Sequence, residues 1–171
     1  FAIYLTTLLN REKYEIYEPF VNASDTTCMS KDDQGWDIYW KNQKSSGGLV
    51  YDAVAAFYRK FIIKRSLNHF IKKHFKRGAD VLHAGCGGGQ VDTDVHDYVA
   101  VTALDISEKA LSLYKKVNKN CCSLFHGSIL DIRLPDASVD GIYNLGVMEH
   151  FTEPEIQRIL SEFHRVLKPQ G

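Results

Sequence analysis

The chain has 171 residues, 44% of them hydrophobic, and balances 21 Lys and Arg against 21 Asp and Glu. That size and apolar share point to a single globular domain with an ordinary core. Zero net charge excludes an overall pull toward nucleic acid or an anionic membrane, and no apolar run approaches the length of a bilayer span.

Phe1–Leu9 reads as a short strand or helix, and residues 22–35, rich in Ser, Thr, Asp and Asn, read as loop. Seven acids against three Lys or Arg make residues 1–37 acidic. The opening Phe1 has no preceding Met and no basic leader, so no signal peptide is read. The missing Met points instead to a piece of a longer chain. Ser45-Ser-Gly-Gly48 is a hinge, and a helix is expected from Leu49 to about Phe75, in one or two pieces. Val50, Val54, Phe57 and Phe61 recur in it at helical spacing, and Gly78 is its stop. Residues 59–77 carry eight Lys or Arg and no acid, with Phe61, Phe70 and Phe75 interleaved. The plain reading is a solvated basic face over a buried aromatic stripe. The functional alternative is a surface for RNA or anionic lipid.

From position 78 strands and helices alternate. Strands are expected at 79–84, 99–104, 121–126 and 139–145, and helices at about 89–96, 107–118 and 153–167. Ser107 caps the second of these helices, and Pro154 sits in the first turn of the third, where its missing N–H costs nothing. The helix at 89–96 contains no strong helix former. Such alternation predicts an α/β domain with a parallel sheet and right-handed crossovers. Three units follow: an N-terminal segment at 1–47, a basic and aromatic helical cap at 48–77, and a core at 78–171. Cys28, Cys86, Cys121 and Cys122 contain no C-x-x-C pair, which fits free thiols in a reducing cytoplasm.

The chemistry concentrates in Val81-Leu-His-Ala-Gly-Cys-Gly-Gly-Gly89, a strand running into a glycine turn, and in Asp105 at the end of the next strand. Glycines let a ligand approach the backbone, and a carboxylate so placed can accept hydrogen bonds from two ribose hydroxyls. A dinucleotide fingerprint needs Gly or Ala at the sixth position. Counted from Gly85 that residue is Gln90, and counted from Gly87 it is Asp92, whose charge would repel a pyrophosphate. The G-x-G-x-G turn suits a nucleoside without phosphates. The sequence has no H-E-x-x-H, G-x-S-x-G or P-loop lysine.

Val81–Gln90, Leu104–Ser107, Gly127–Asp140, Gly146–His150 and Arg165–Pro169 resemble, in order, the motifs of class I S-adenosylmethionine-dependent methyltransferases. The broad small-molecule methyltransferase type 11 group is the nearest match, over about residues 79–171. The resemblance implies a Rossmann-like doubly wound parallel sheet and S-adenosylmethionine as cofactor, with S-adenosylhomocysteine as product. It implies that the turn of Gly85, Cys86 and Gly87 receives the amino-acid part of the cofactor, helped by N–H groups of the following helix. Asp105 then holds the ribose, Ile106 lies on the adenine face, and Ser128 and the backbone of Ile129 bond the adenine edge. Asn144 and Leu145 pass near the sulfonium. His83 stands where the family commonly has an acid directed toward the cofactor's ammonium group, so affinity is expected to weaken as the imidazole protonates. His150 is the candidate general base, and an upstream aromatic among Trp36, Tyr39, Trp40, Tyr51 and Tyr58 is the candidate lid. In the family, Lys168-Pro-Gln-Gly171 precedes a fifth strand. The sheet is therefore expected to end in an open edge at 139–145, as a fragment would. The acceptor is expected to be a small molecule. The competing functions are a nicotinamide-dependent oxidoreductase and a cofactor-binding module without turnover.

Overall fold

The computed structural model describes Trp36, Phe57 and residues 59–119 and 123–169. The N-terminal strand or helix, the acidic loop, the Ser45–Gly48 hinge and Cys28, Cys121 and Cys122 lie outside these residues. The described chain begins with a π-helical turn, Arg59–Ile63, that continues into α1, Lys64–His74. Leu67 and Ile71, one turn apart, are buried against the sheet, and Phe75 leaves the helix in an extended conformation. Gly78 then turns at φ +82°, as expected of the stop residue.

Four parallel strands follow: β1 Asp80–Ala84, β2 Ala100–Asp105, β3 Ser123–His126 and β4 Gly141–Tyr143. Their order in the sheet is β3-β2-β1-β4, with Ala84 opposite Leu104 and Asp105 opposite His126. The reversal between β1 and β4 makes a switch point at the carboxyl edge, where open α/β sheets bind ligands. Two further helices complete the described core: α2 Glu108–Val117 and α3 Glu153–Val166. Side chains alternate across each strand, so the two faces sort by residue parity. Val81 and Val101 meet Leu67 and Ile71 of α1, and Ala103 meets Leu111 and Tyr114 of α2. Leu82, Ala84 and Leu104 meet Ile159 and Val166 of α3 on the opposite face. This is the expected doubly wound arrangement.

Local chemistry explains the helix starts. Ser107 Oγ accepts the Ala110 N–H at 3.1 Å. Thr152 and Glu155 form a reciprocal capping box, and Pro154 occupies the first turn of α3. Arg165, near the end of α3, donates to the carbonyls of Ile132 and Leu134 and pairs with Glu162 and Asp136. It thereby pins the loop between β3 and β4.

Two expectations need correction. No α-helix occupies 89–96. Successive turns join Gly89 N to Cys86 O, Asp92 N to Gly89 O, Val95 N to Asp92 O and Tyr98 N to Val95 O, and only Val95–Asp97 forms a short 3-10 turn. These residues gain little from helix propensity, and the turns let Asp92 point inward, where it is fully buried. The edge at β4 is not fully open either. Leu167 bridges Val139 in parallel, and Lys168 N donates to Val139 O at 2.9 Å.

Candidate cofactor site and reaction edge

The glycine turn and Asp105 are joined directly. Gly87 N donates to Asp105 Oδ2 at 2.8 Å, and Ser107 N donates to Oδ1 at 2.9 Å. Gly85 N and Cys86 N both donate to Leu104 O, at 2.8 and 3.0 Å. The ends of β1 and β2 are thus held together by three bonds, and Asp105 is aimed by two backbone donors. Asp105 is only 8% exposed. Burial pushes its carboxyl above the usual range, against the lowering effect of the Ser107 and Gly87 N–H groups. A carboxylate so desolvated gains from any further hydroxyl donor, and each oxygen retains acceptor capacity. A ribose diol fits that need.

Gly85, Gly87 and Gly89 all have positive φ, at +73°, +52° and +64°. The reason for glycine is not ligand approach alone. A Cβ on Gly85 would stand 2.6 Å from Val147 Cγ2, and one on Gly89 would overlap the Tyr114 ring and Asn118. The side chain of Asn118 also donates to Gly89 O at 2.9 Å. The protein itself packs both sides of this turn.

His83 does not reach the surface of the turn. It is 2% exposed, stacks on Tyr143 at 4.3 Å, and places Nδ1 2.6 Å from Asp92 Oδ2. Tyr114 donates its phenol to the same Asp92 oxygen at 2.6 Å, and His96 Nε2 lies 3.0 Å from that phenol. His83 Nε2 is also buried. The expected direct contact with a cofactor ammonium is therefore replaced by an internal pair. Burial alone would raise the Asp92 carboxyl, but the facing His83, with hydrogen bonds from His83 and Tyr114, holds it below its usual value. Asp92, nine residues later, is the acid that pairs with position 83, and it faces inward to His83 and Tyr114. Its only sequence signal was an acid beside a glycine turn.

The remaining expected residues divide. Cys86 is buried against Ala103, Leu111 and Tyr114, so its side chain belongs to the core. Ile129 is likewise core, packed with Leu82 and Leu104, which leaves its backbone for a ligand. Ser128 Oγ already accepts the Leu130 N–H at 3.1 Å. Ile106 is half-buried, and its carbonyl accepts from His126 Nε2 at 2.8 Å. His126 was not singled out from sequence; it ends β3 directly opposite Asp105 and ties down the residue after it. Asn144 donates to Ala84 O at 2.9 Å, joining the ends of β4 and β1, while Leu145 packs into the core beneath. With no helix at 89–96, the expected helix N-terminus for the cofactor carboxylate is absent as well. His150 is exposed on the short turn Met148–His150, and the Trp36 ring meets it edge-on at 5.1 Å. Of the five aromatic lid candidates, Trp36 is the one among the described residues, and it lies beside His150. Among the described residues no group of His, Cys, Asp or Glu could hold a metal ion.

A family model described as "methyltransferase domain" matches residues 81–171, more than half of the chain. The chain belongs to the methyltransferase domain family. A probable S-adenosylmethionine-dependent methyltransferase of Mycolicibacterium smegmatis is 35% identical over 99 residues, covering 57% of this chain and 37% of that protein. A demethylmenaquinone methyltransferase of Symbiobacterium thermophilum is 33% identical over 107 residues, covering 57% and 42%. The chain thus spans well under half the length of these relatives. Among solved structures, a TehB-like S-adenosylmethionine-dependent methyltransferase from Corynebacterium glutamicum superposes with a TM-score of 0.59 at 23% identity, over 71% of this chain and 65% of that one. This likeness establishes the fold. S-adenosylmethionine is accordingly the cofactor of this domain.

Proposed function

We propose that this domain transfers the methyl group of S-adenosylmethionine to a small organic acceptor at the carboxyl edge of its sheet. The observation that carries the reading is the buried Asp105 carboxylate, held by Gly87 N and Ser107 N at the end of β2. A carboxylate anchored in this way selects a ligand that brings hydroxyl donors and no phosphate. In this reading the turn at Gly85–Gly87 receives the amino-acid end of the cofactor. Ile106, the Ser128 hydroxyl and the Ile129 backbone border the adenine, and Asn144 and Leu145 border the methyl donor.

The bound cofactor supplies a methyl group on a positively charged sulfur, open to attack by an acceptor lone pair. The chain's part is alignment and exclusion of water. His150 accepts the proton of an acceptor whose nucleophile carries one, and Trp36 narrows the approach to it. The Tyr143 phenol, whose oxygen is buried, stays neutral, because burial and the neighbouring Asp92 raise it well above its usual value, so we give it no acid–base role. We place the protein in the cytoplasm, where the buried Cys86 stays a free thiol.

Calorimetry tests the reading. S-adenosylhomocysteine and S-adenosylmethionine should bind and NADH should not, and Asp105→Ala should abolish binding. Binding of NADH alone would replace this reading with nicotinamide-dependent redox chemistry. If the cofactor binds but S-adenosylhomocysteine never accumulates with candidate acceptors, the domain is a binding module.

A further inference from the structure

The sequence predicts Phe61 on a buried aromatic stripe, with Phe57 one helical turn before it, and the structure places both outside. Phe57 is 59% exposed, Phe61 52% and Ile62 42%. The cause is the π-helical turn at Arg59–Ile63. A π turn takes in one more residue than an α turn and so rotates the phase of the preceding apolar positions. Leu67 and Ile71 keep the inward face, while Phe57, Phe61 and Ile62 are turned to the opposite side. There the rings of Phe57 and Phe61 lie 4.6 Å apart, and a shallow groove lined by Phe61, Ile62, Arg65, Ser66, His69 and Phe70 continues along α1.

The same outer face is basic. Of the eight Lys and Arg in 59–77, Lys64 is paired with Asp94 at 2.8 Å and Arg77 lies over the Tyr98 ring. Arg59, Arg65, Lys72, Lys73 and Lys76 are exposed, and no acid occurs anywhere in the segment. The outer side of this segment therefore offers an apolar turn followed by cations along α1 and just beyond its end. The Lys64–Asp94 pair also sets direction. Asp94 belongs to the turns that follow the glycine motif, so the apolar end of the helix lies on the side of the cofactor turn.

We infer that the outer face of the π turn and α1 docks on an anionic lipid surface, with Phe57, Phe61 and Ile62 entering the headgroup boundary and Lys72 and Lys73 of α1, with Lys76 just beyond it, meeting lipid phosphates. The arrangement has both requirements of interfacial binding, an apolar wedge and a flanking basic patch. It fits a bilayer better than RNA. Base stacking needs open ring faces, whereas Phe57 and Phe61 pack on each other and Ile62 has no stacking face. Docking in this way would bring the reaction edge near the membrane. The inference does not depend on the identity of the acceptor.

The test is co-sedimentation of the 171-residue chain with vesicles of phosphatidylglycerol and phosphatidylcholine in equal parts, and with phosphatidylcholine alone. Binding is expected to the anionic vesicles only and to weaken with rising salt. Each Lys is expected to account for roughly a fivefold change. The combined Lys72→Gln, Lys73→Gln and Lys76→Gln variant should then lose on the order of a hundredfold in partitioning. Phe61→Ser with Ile62→Ser should lose about tenfold. Both variants should keep the parent's thermal midpoint and its affinity for S-adenosylhomocysteine, which separates lipid docking from the cofactor reading. Equal binding to both vesicle types, or undiminished binding by the Lys variant, overturns the inference. So does retention of a single-stranded RNA oligonucleotide by a chain that ignores the anionic vesicles.

Discussion

The two faces of the sheet are built on different terms. Against α3, the core is wholly apolar: Leu82, Ala84, Leu104, Ile132, Ile159 and Val166. On the other face, α1 and α2 flank a polar cluster of His83, Asp92 and Tyr114, with Tyr143 stacked on the histidine. The apolar face needs volume and pattern, and it tolerates swaps that conserve both. The polar face needs each partner present, because a buried charge without its counterpart is costly. The polar cluster sits under the glycine turn, where a helix was expected, and it holds Asp92 and thus the path of residues 89–95. What distinguishes this domain's glycine turn therefore lies on the polar face, and the stable background lies on the other.

The largest effect should come from breaking the pair. Asp92→Ala should cost about 3–5 kcal/mol, read as a shift of the denaturation midpoint. The double change His83→Leu with Asp92→Leu sharpens the contrast. It should regain most of that stability, because no charge is left unpaired, while S-adenosylhomocysteine affinity falls. Recovery of both would show that the pair serves packing alone. Next, Gly89→Ala should cost roughly 1–3 kcal/mol, since it combines a left-handed backbone with overlap of the Tyr114 ring. On the apolar face, Ile159→Val should cost only about 0.5–1.5 kcal/mol and leave cofactor affinity unchanged.

The two buried acids differ in sign with pH. Asp92 titrates below its usual value in the folded chain. Its stabilisation is present above the unfolded carboxyl range and is lost as pH falls through the folded value. Asp105 titrates above its usual value. Ionised Asp105 works slightly against folding, and this contribution becomes more favourable as pH falls through the raised value. On the proposed ribose contact, cofactor affinity runs the other way, since a protonated Asp105 is a poorer acceptor for hydroxyls. Titrations of S-adenosylhomocysteine should therefore show affinity falling as pH drops through that raised value, and Asp105→Asn should flatten the profile. An affinity that does not change with pH in the parent would count against the Asp105 contact.

Much of this was readable from local pattern. The four strands, the cap at Ser107, Pro154 in the first turn of the last helix and the stop at Gly78 follow from period, propensity and φ, which neighbouring residues largely decide. The turn before Gly89 and the carboxylate at Asp105 were legible for the same reason, because the end of a strand and a positive φ leave few choices of residue. His126 was missed because its partner, the Ile106 carbonyl, is adjacent only through strand pairing. Trp36 was one of five equivalent aromatics until its ring was placed on His150.

The sequence by itself determined the four strands, the helices after the second and fourth of them, the family, and the need for glycine at the turn after β1. Those depend on forces acting within a few residues. Only the tertiary structure decided what the glycines make room for, Val147 and Tyr114, and that His83 turns inward to Asp92. It also decided that a π turn carries Phe57 and Phe61 out of the core. Each of those outcomes depends on which distant side chain fills a given volume or pairs with a given charge, and chain order does not carry that information.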